Sequence, residues 1–403
     1  MRTTMNPCSR RARRVAMVAV GMMVMGGGVR LAGGPAAPSA WDTFTAFYHR
    51  LIAEHRIVGS SVIVVHDNHV VERAVVGLQD RDGGIAVDED TIFHWASITK
   101  TFTGIAIMQL RDRGLLALDD PIDRYVPEIR AIHNPFGGAT QITIRHLMTH
   151  SAGLRGGTWP WGGDEAWHPF EPPGWDQLVA MLPYTDVRFE PGSRYSYSNP
   201  GIIFLGTTIE RLAEEPYETY IDKHILKPLE MYRTYFDTSP PHLLAHRSHS
   251  YQHGATGVEE ARFDFNSGVT VSNGGLNAPM TDMVRYVNFL VGEPARASAH
   301  AMVLKRESLE EMFAPAIGRT ATNPDERSGL IFFLERLEGR NLVGHTGSQN
   351  GFYSNLWFDP VARTASLVVA NTPATTPDNG HDVDRQIHEH LVRHVYPAVE
   401  SQP

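Results

Sequence analysis

The sequence predicts an α/β protein of the α+β kind: an antiparallel sheet assembled from both ends of the chain and flanked by helices, with a mainly helical lobe inserted between. Three observations carry this reading. A helix followed by a hairpin pattern opens the chain after residue 40, and two strand patterns and a helix close it. Between them, short helical patterns alternate with Pro/Gly loops and aromatic turns. The composition is globular, with 403 residues, 42% hydrophobic and 20% charged, and 36 basic against 45 acidic side chains. Such a chain buries a large core and is too apolar for extended disorder.

Residues 1–40 stand apart, with six arginines, no acid and an apolar run from Val15 to Met25, followed by small residues from Gly33 to Ala40. A positive stretch, a short apolar run and a small-residue segment read as a secretory signal. The run of about 11 residues falls short of the roughly 20 that span a bilayer. Arg10-Arg11 lacks the apolar residue that follows a twin-arginine pair. The expectation is export, to a periplasm or the medium, of a chain that starts near residue 41. That chain has 30 basic and 45 acidic residues, a net charge of −15. Nucleic acid is then a poor partner, and nothing remains to hold the chain to a membrane. Cys8 is the only cysteine. It would leave with the signal, so neither a disulfide, a thiol nucleophile nor a thiolate metal site is expected.

Phe44, Phe47 and Leu51 fall at helical spacing between Trp41 and Glu54, predicting an amphipathic helix. Ser61–His66 and Val70–Gly77, separated by Asp67-Asn68, predict a β-hairpin. From Ser97 to Arg113 the apolar residues Ile98, Phe102, Ile105, Ala106, Met108 and Leu110 surround the axis, which predicts a buried helix ended by Gly114. Asp119-Asp120-Pro121 opens the inserted lobe, placed at about 116–269. Strands follow at Phe352–Phe358 and Thr364–Asn371, and a helix at Asp382–Val395. The α/β lobe is therefore expected from about 41–115 and 270–403.

Ser97-Ile98-Thr99-Lys100 places a hydroxyl and an amine one helical turn apart. A serine attacks once a base takes its proton, and a lysine is such a base when burial or nearby positive charge keeps its amine neutral. A helix start adds N–H groups and a dipole where oxyanion charge develops. Of the four lysines, Lys100, Lys223, Lys227 and Lys305, only Lys100 has a serine three residues before it. Alone, the spacing also fits a capped helix with a surface lysine. Tyr197-Ser198-Asn199 follows the turn-rich Phe189–Tyr195 and precedes an apolar helix. Its phenol suits proton relay and its amide suits holding a substrate carbonyl. The same triplet at Tyr353-Ser354-Asn355 lies inside a strand pattern, where alternation accounts for it as packing. The glycine-rich Gly344–Gly351 lets backbone approach a ligand, and the N–H of Ser348 can pair with that of Ser97 as an oxyanion hole.

The order Ser-x-x-Lys, Tyr-Ser-Asn, His-Thr-Gly resembles the serine β-lactamase and penicillin-binding-protein superfamily, in the class C β-lactamase branch that also holds D-amino-acid peptidases and esterases. Phe93–Thr103, Leu118–Pro121, His146–Leu154, Glu190–Gly192 and Gly274–Leu276 are similar to recurring segments of that family, and together they cover most of residues 45–395 in order. The resemblance implies a β-lactamase/transpeptidase-like fold. It also implies a serine hydrolase acting through an acyl-enzyme on a small ester or amide, a D-amino-acid peptide or a β-lactam, with no cofactor and no metal; with the signal pattern, the expectation is an exported serine hydrolase. Carried over, Ser97 is the nucleophile, Lys100 its activating partner and Tyr197 the proton relay, with either Lys100 or Tyr197 taking the serine proton. Asn199 would hold the substrate amide, while His345, Thr346, Gly347 and Ser348 line the substrate. His345 departs from the lysine of that branch's β-lactamases. A histidine is mostly neutral at pH 7, so the resemblance points to esterase or peptidase members rather than to an efficient β-lactamase. The rival reading is a non-catalytic member that keeps the fold as a ligand-binding or structural protein.

His242, His246, His249 and His253 have near-helical spacing, but Pro240-Pro241 marks the segment as a connection rather than a metal site. Thr158–Trp175 holds four tryptophans, either shaping a substrate or covering its own aromatics. His150 and Ser151, within a turn, are expected to make structural hydrogen bonds.

Overall fold

The computed structural model describes residues 38–137, 141–157, 174–374 and 381–401. The signal-like residues 1–37 and most of the tryptophan-rich segment, 158–173, lie outside them. The central element is a nine-stranded antiparallel sheet. In spatial order its strands are β3 (Ile85–Ala86), β2 (His69–Asp80), β1 (Gly59–His66), β14 (Thr364–Ala370), β13 (Phe352–Asp359), β12 (Arg340–Gln349), β11 (Phe333–Leu337), β10 (Glu326–Ser328) and β9 (Ile317–Gly318). The two ends of the chain meet at β1 and β14, which pair from Ser60↔Ala370 to His66↔Thr364. A second sheet joins β4 (Ile92–His94), β8 (Leu276–Pro279) and β5 (Tyr235–Phe236), and β6 (Ser250–Gly254) with β7 (Gly257–Arg262) forms a hairpin. The inserted lobe therefore contributes strands as well as helices.

Alternation along β1 explains the layering. Val62 and Val64 pack with Phe44 and Tyr48 of the opening helix and with Leu391 and Val395 near the C-terminus. Ile63 and Val65 face the opposite side, in the core that holds Phe102, Ile105 and Phe204. The opening helix, Ala40–Glu54, starts at a reciprocal cap in which Ser39 Oγ accepts from the Asp42 N–H and the Asp42 carboxylate accepts from the Ser39 N–H, both at 3.0 Å. The hairpin turns at Asp67 and Asn68, both with positive φ, which matches the right-handed strand twist.

Two expectations need correction. Ser97 does not lie inside the regular helix: it sits in a tight 3-10 turn, Ala96–Ile98, and the α-helix runs from Thr99 to Asp112. Ala96 holds φ of 46°, a left-handed conformation that costs an alanine energy and is maintained by its surroundings. Trp95 anchors the turn, donating from its backbone N–H to Leu276 O at 2.8 Å and from Nε1 to Ala278 O at 2.9 Å. The C-terminal helix is likewise interrupted. It runs His381–His390, widens into a π-turn over Leu391–Val395 and resumes at Tyr396–Glu400.

Candidate active site

The Thr99–Asp112 helix carries Lys100 on its first turn, and this side chain is completely buried. Its Nζ lies 3.0 Å from Ser97 Oγ and 2.7 Å from the backbone carbonyl of Asn273. No carboxylate faces it among the described residues, and burial in this uncharged setting lowers the lysine pKa well below its usual value. Desolvation alone thus favours the neutral amine.

Tyr197 arrives on a loop that the next helix, Asn199–Ala213, fixes in place. Ser198 caps that helix by accepting from the Gly201 N–H at 3.1 Å, and its own N–H donates to His150 Nδ1 at 3.2 Å. The His150 ring lies 4.4 Å from the Tyr197 ring, and the Ser196 N–H donates to the His150 carbonyl at 2.7 Å. His150 is therefore a scaffold for the tyrosine loop, as the sequence suggested, and burial holds its imidazole neutral with its pKa down at about 3. The Tyr197 side chain hydrogen-bonds Ser97, and its ring lies 5.0 Å from Lys100 Nζ. Burial raises the phenol pKa, so the phenol stays protonated at neutral pH.

The third side of the site is β12. It pairs with β11 only from Arg340 to Gly344, while its pairing with β13 continues to Gln349. Beyond Gly344 the edge toward β11 has no strand partner among the described residues, and the Ser97 turn packs there. A methyl group on Gly347 would sit 2.4 Å from Trp95 O and 3.0 Å from Ser97 N. Only glycine permits this approach of β12 to the Ser97 amide, and Ser348 follows it in the chain. Ser348 is exposed and Thr346 half-buried.

Asn199 occupies the first turn of its helix with its Oδ1 buried and unpartnered, a polar group positioned for an additional hydrogen bond. His345 is placed differently from a substrate-facing cation. It is fully buried, stacks on Phe333 at 4.1 Å and 19°, and donates from Nδ1 to Thr346 O at 2.6 Å. Burial lowers its pKa well below the ordinary histidine value, with Lys100 adding to the effect, so the ring is neutral.

The four histidines of 242–253 do not converge. His249 pairs with Glu260 at 2.9 Å, His253 contacts Pro373 O at 3.0 Å, and among the described residues no group of three or more potential ligands could hold a metal.

With this geometry the family can be assigned. Residues 44–390 match the family described as Beta-lactamase. The chain belongs to the Beta-lactamase family. It is 32% identical over 218 residues to Esterase EstB of Burkholderia gladioli, covering 51% of this chain and 54% of that protein. It is 27% identical to Protein flp of Staphylococcus aureus (strain MW2), covering 81% of this chain and 62% of that one. This family member thus spans between about half and two-thirds of the length of these relatives. Among solved structures, the octameric penicillin-binding protein homologue from Pyrococcus abyssi has a TM-score of 0.71 at 26% identity, covering 87% of this chain and 78% of that one. A class C β-lactamase gives 0.71 at 19% identity, over 88% and 95% of the two chains, a likeness of fold.

Within this Beta-lactamase family member, sequence reasoning missed three contributors. The Asn273 carbonyl holds Lys100, and a backbone acceptor leaves no side-chain signature. His94, neutral with its pKa lowered to about 4 by burial and nearby Arg247, contacts Asn277 at 2.9 Å and Gln349 at 3.2 Å, tying the second sheet to the end of β12. Arg319, which hydrogen-bonds Tyr195 and lies over Phe333, comes from a segment with no recognisable motif.

Proposed function

We propose that this protein is an exported serine hydrolase that transfers the acyl group of a small ester or amide through Ser97. One observation carries the reading: a fully buried lysine, whose pKa burial lowers, and a phenol both contact the same serine hydroxyl. In acylation, Ser97 Oγ bonds to the substrate carbonyl carbon while its proton passes to the Lys100 amine. The backbone amides of Ser97 and Ser348 receive the oxyanion. The carbonyl–heteroatom bond then breaks, and Tyr197 delivers a proton to the leaving group and is reprotonated from Lys100. Water attacks the ester in the second half, with the proton route reversed. The two groups titrate as a coupled set, and the directions of their shifts favour Lys100 as the base.

The esterase relative and the neutral His345 support an ester or simple amide over a β-lactam as substrate. Export rests on the residues 1–40 pattern, and N-terminal sequencing of the protein recovered outside the cytoplasm tests it.

The decisive experiment is labelling with a neutral fluorescent phosphonate followed by mass spectrometry. An adduct at Ser97 that disappears in Ser97→Ala is expected. A folded protein with no adduct would mean a non-catalytic binding member. Hydrolysis rates for 4-nitrophenyl butyrate, nitrocefin and a D-Ala-D-Ala peptide then rank the substrates, with nitrocefin expected to be slow.

A further inference from the structure

The neutral, sealed His345 leaves the motif strand without a fixed cation, yet a guanidinium stands beside the site. Arg319 directly follows β9, outside every motif identified in the sequence. Its Cζ lies 3.8 Å from the centroid of the Phe333 ring. The His345 ring lies 4.1 Å from the same centroid and nearly parallel to it. Two groups this close to one ring centre occupy its opposite faces, so the stack runs Arg319, Phe333, His345. Arg319 also hydrogen-bonds the Tyr195 side chain, and its charge acts on Tyr197 and His150.

This arginine has no counter-ion among the described residues, and it is the one that hydrogen-bonds Tyr195 beside Tyr197. Arg145, Arg211 and Arg340 each pair with a carboxylate. Arg319 forms no ion pair among the described residues; it is partly exposed, and its Nε is buried without a partner. A planar guanidinium pinned on an aromatic face, with donors unspent and no anion of its own, is preorganised to receive a carboxylate.

The geometry points to Arg319 as a specificity-determining residue that favours esters or amides whose leaving group carries a carboxylate held away from the scissile bond. The inference deepens the serine-hydrolase reading and rests on it. The leaving-group side follows from Arg319 standing beside Tyr195 and Tyr197, where the departing atom receives its proton. The separation follows from the stack, because the charge lies beyond Phe333 rather than on the strand next to the reacting carbonyl. The favoured carboxylate is therefore one set across an aryl spacer from the broken bond rather than next to it.

The test compares kcat/KM for the butyrate esters of 4-hydroxybenzoate and of 4-hydroxybenzamide, which share a spacer and differ in charge. The wild type is expected to prefer the carboxylate by about tenfold, the scale of one charge-assisted hydrogen bond, and to lose preference as salt rises. In Arg319→Gln the ratio should fall to near unity, and Arg319→Lys should restore part of it. A wild type with no preference overturns the inference even if every variant misfolds. So does an Arg319→Gln variant that slows both esters equally, which would mark a structural role. Phosphonate labelling at Ser97 separates the outcomes: a protein that labels but shows no preference loses this inference alone, and one that fails to label loses the hydrolase reading.

Discussion

Lys100 donates to the backbone carbonyl of Asn273 at 2.7 Å while standing 3.0 Å from Ser97 Oγ. A backbone carbonyl orients an amine without stabilising its positive charge as a carboxylate would. The contact therefore aims Lys100 at the serine and leaves burial to keep it neutral. Changing Lys100 exposes this division of labour.

Lys100→Met keeps the length and apolar stem of the side chain and removes the base. Loss of a positioned base costs on the order of 10²–10⁴ in rate. The expected result is a fall of at least about a hundredfold in kcat/KM for 4-nitrophenyl butyrate, with the circular dichroism spectrum unchanged. A loss under tenfold would remove Lys100 from the base role.

The same depressed pKa sets the pH profile. The base works as the free amine, so acylation is fastest above the Lys100 pKa and fails as the amine protonates on acidification. Because burial moves that pKa well below the usual lysine value of 10.5, kcat/KM should reach its plateau well below pH 10.5. Burial also raises the Tyr197 pKa, so no decline from loss of its proton is expected at mildly alkaline pH. A rate that climbs steadily up to an ordinary lysine pKa would mean the amine is charged in the resting enzyme.

Much of this was legible from residue order, and what was not has physical causes. The β1–β2 hairpin announced itself through alternating apolar residues around Asp67-Asn68, and the buried Thr99–Asp112 helix through apolar residues on all sides. The 3-10 turn at Ser97 is not visible in the sequence, because the left-handed Ala96 adjoins Trp95, whose contacts with β8 reach 183 residues along the chain. Ser97, Lys100 and Tyr197 could be named from three short motifs. Asn273 and Arg319 could not, since one acts through its backbone and the other through tertiary packing. His345 was expected to line the substrate, and only the packed structure reveals that Phe333 covers it.

Gly347 tests how closely β12 must approach the nucleophile. An added methyl would meet Trp95 O and Ser354 Oγ at 2.4 Å each, and neither the carbonyl nor the packed hydroxyl can withdraw without moving its strand or turn. Gly347→Ala is expected to lose about 1–3 kcal/mol of stability, the usual cost of overpacking. It should lose about a hundredfold in acylation rate as Ser348 is pushed away from Ser97. Gly174→Ala, where the new methyl meets nothing within 4 Å, is the control. Urea melts and phosphonate labelling rates measure both effects, and a Gly347→Ala enzyme with wild-type labelling would show that β12 need not come so close.

A buried carboxyl behind the sheet governs stability rather than catalysis. Asp384, on the His381–His390 helix, accepts from Asn355 Nδ2 at 2.6 Å and hydrogen-bonds the Tyr353 side chain, with His388 one turn along. Burial pushes its pKa up from 3.8 to about 6. The folded protein therefore holds a proton that the unfolded chain has released across that interval. This contribution is fully present below about pH 4 and is lost as pH rises through about 6, a change of about 3 kcal/mol. His388, one turn along the same helix, contacts Glu335 at 3.1 Å. Asp384→Asn removes the titrating proton while keeping a polar side chain of the same shape. Urea denaturation at pH 4.5 and 7.5 should show the wild type losing more stability than Asp384→Asn over that range, whereas equal losses would place the titrating group elsewhere.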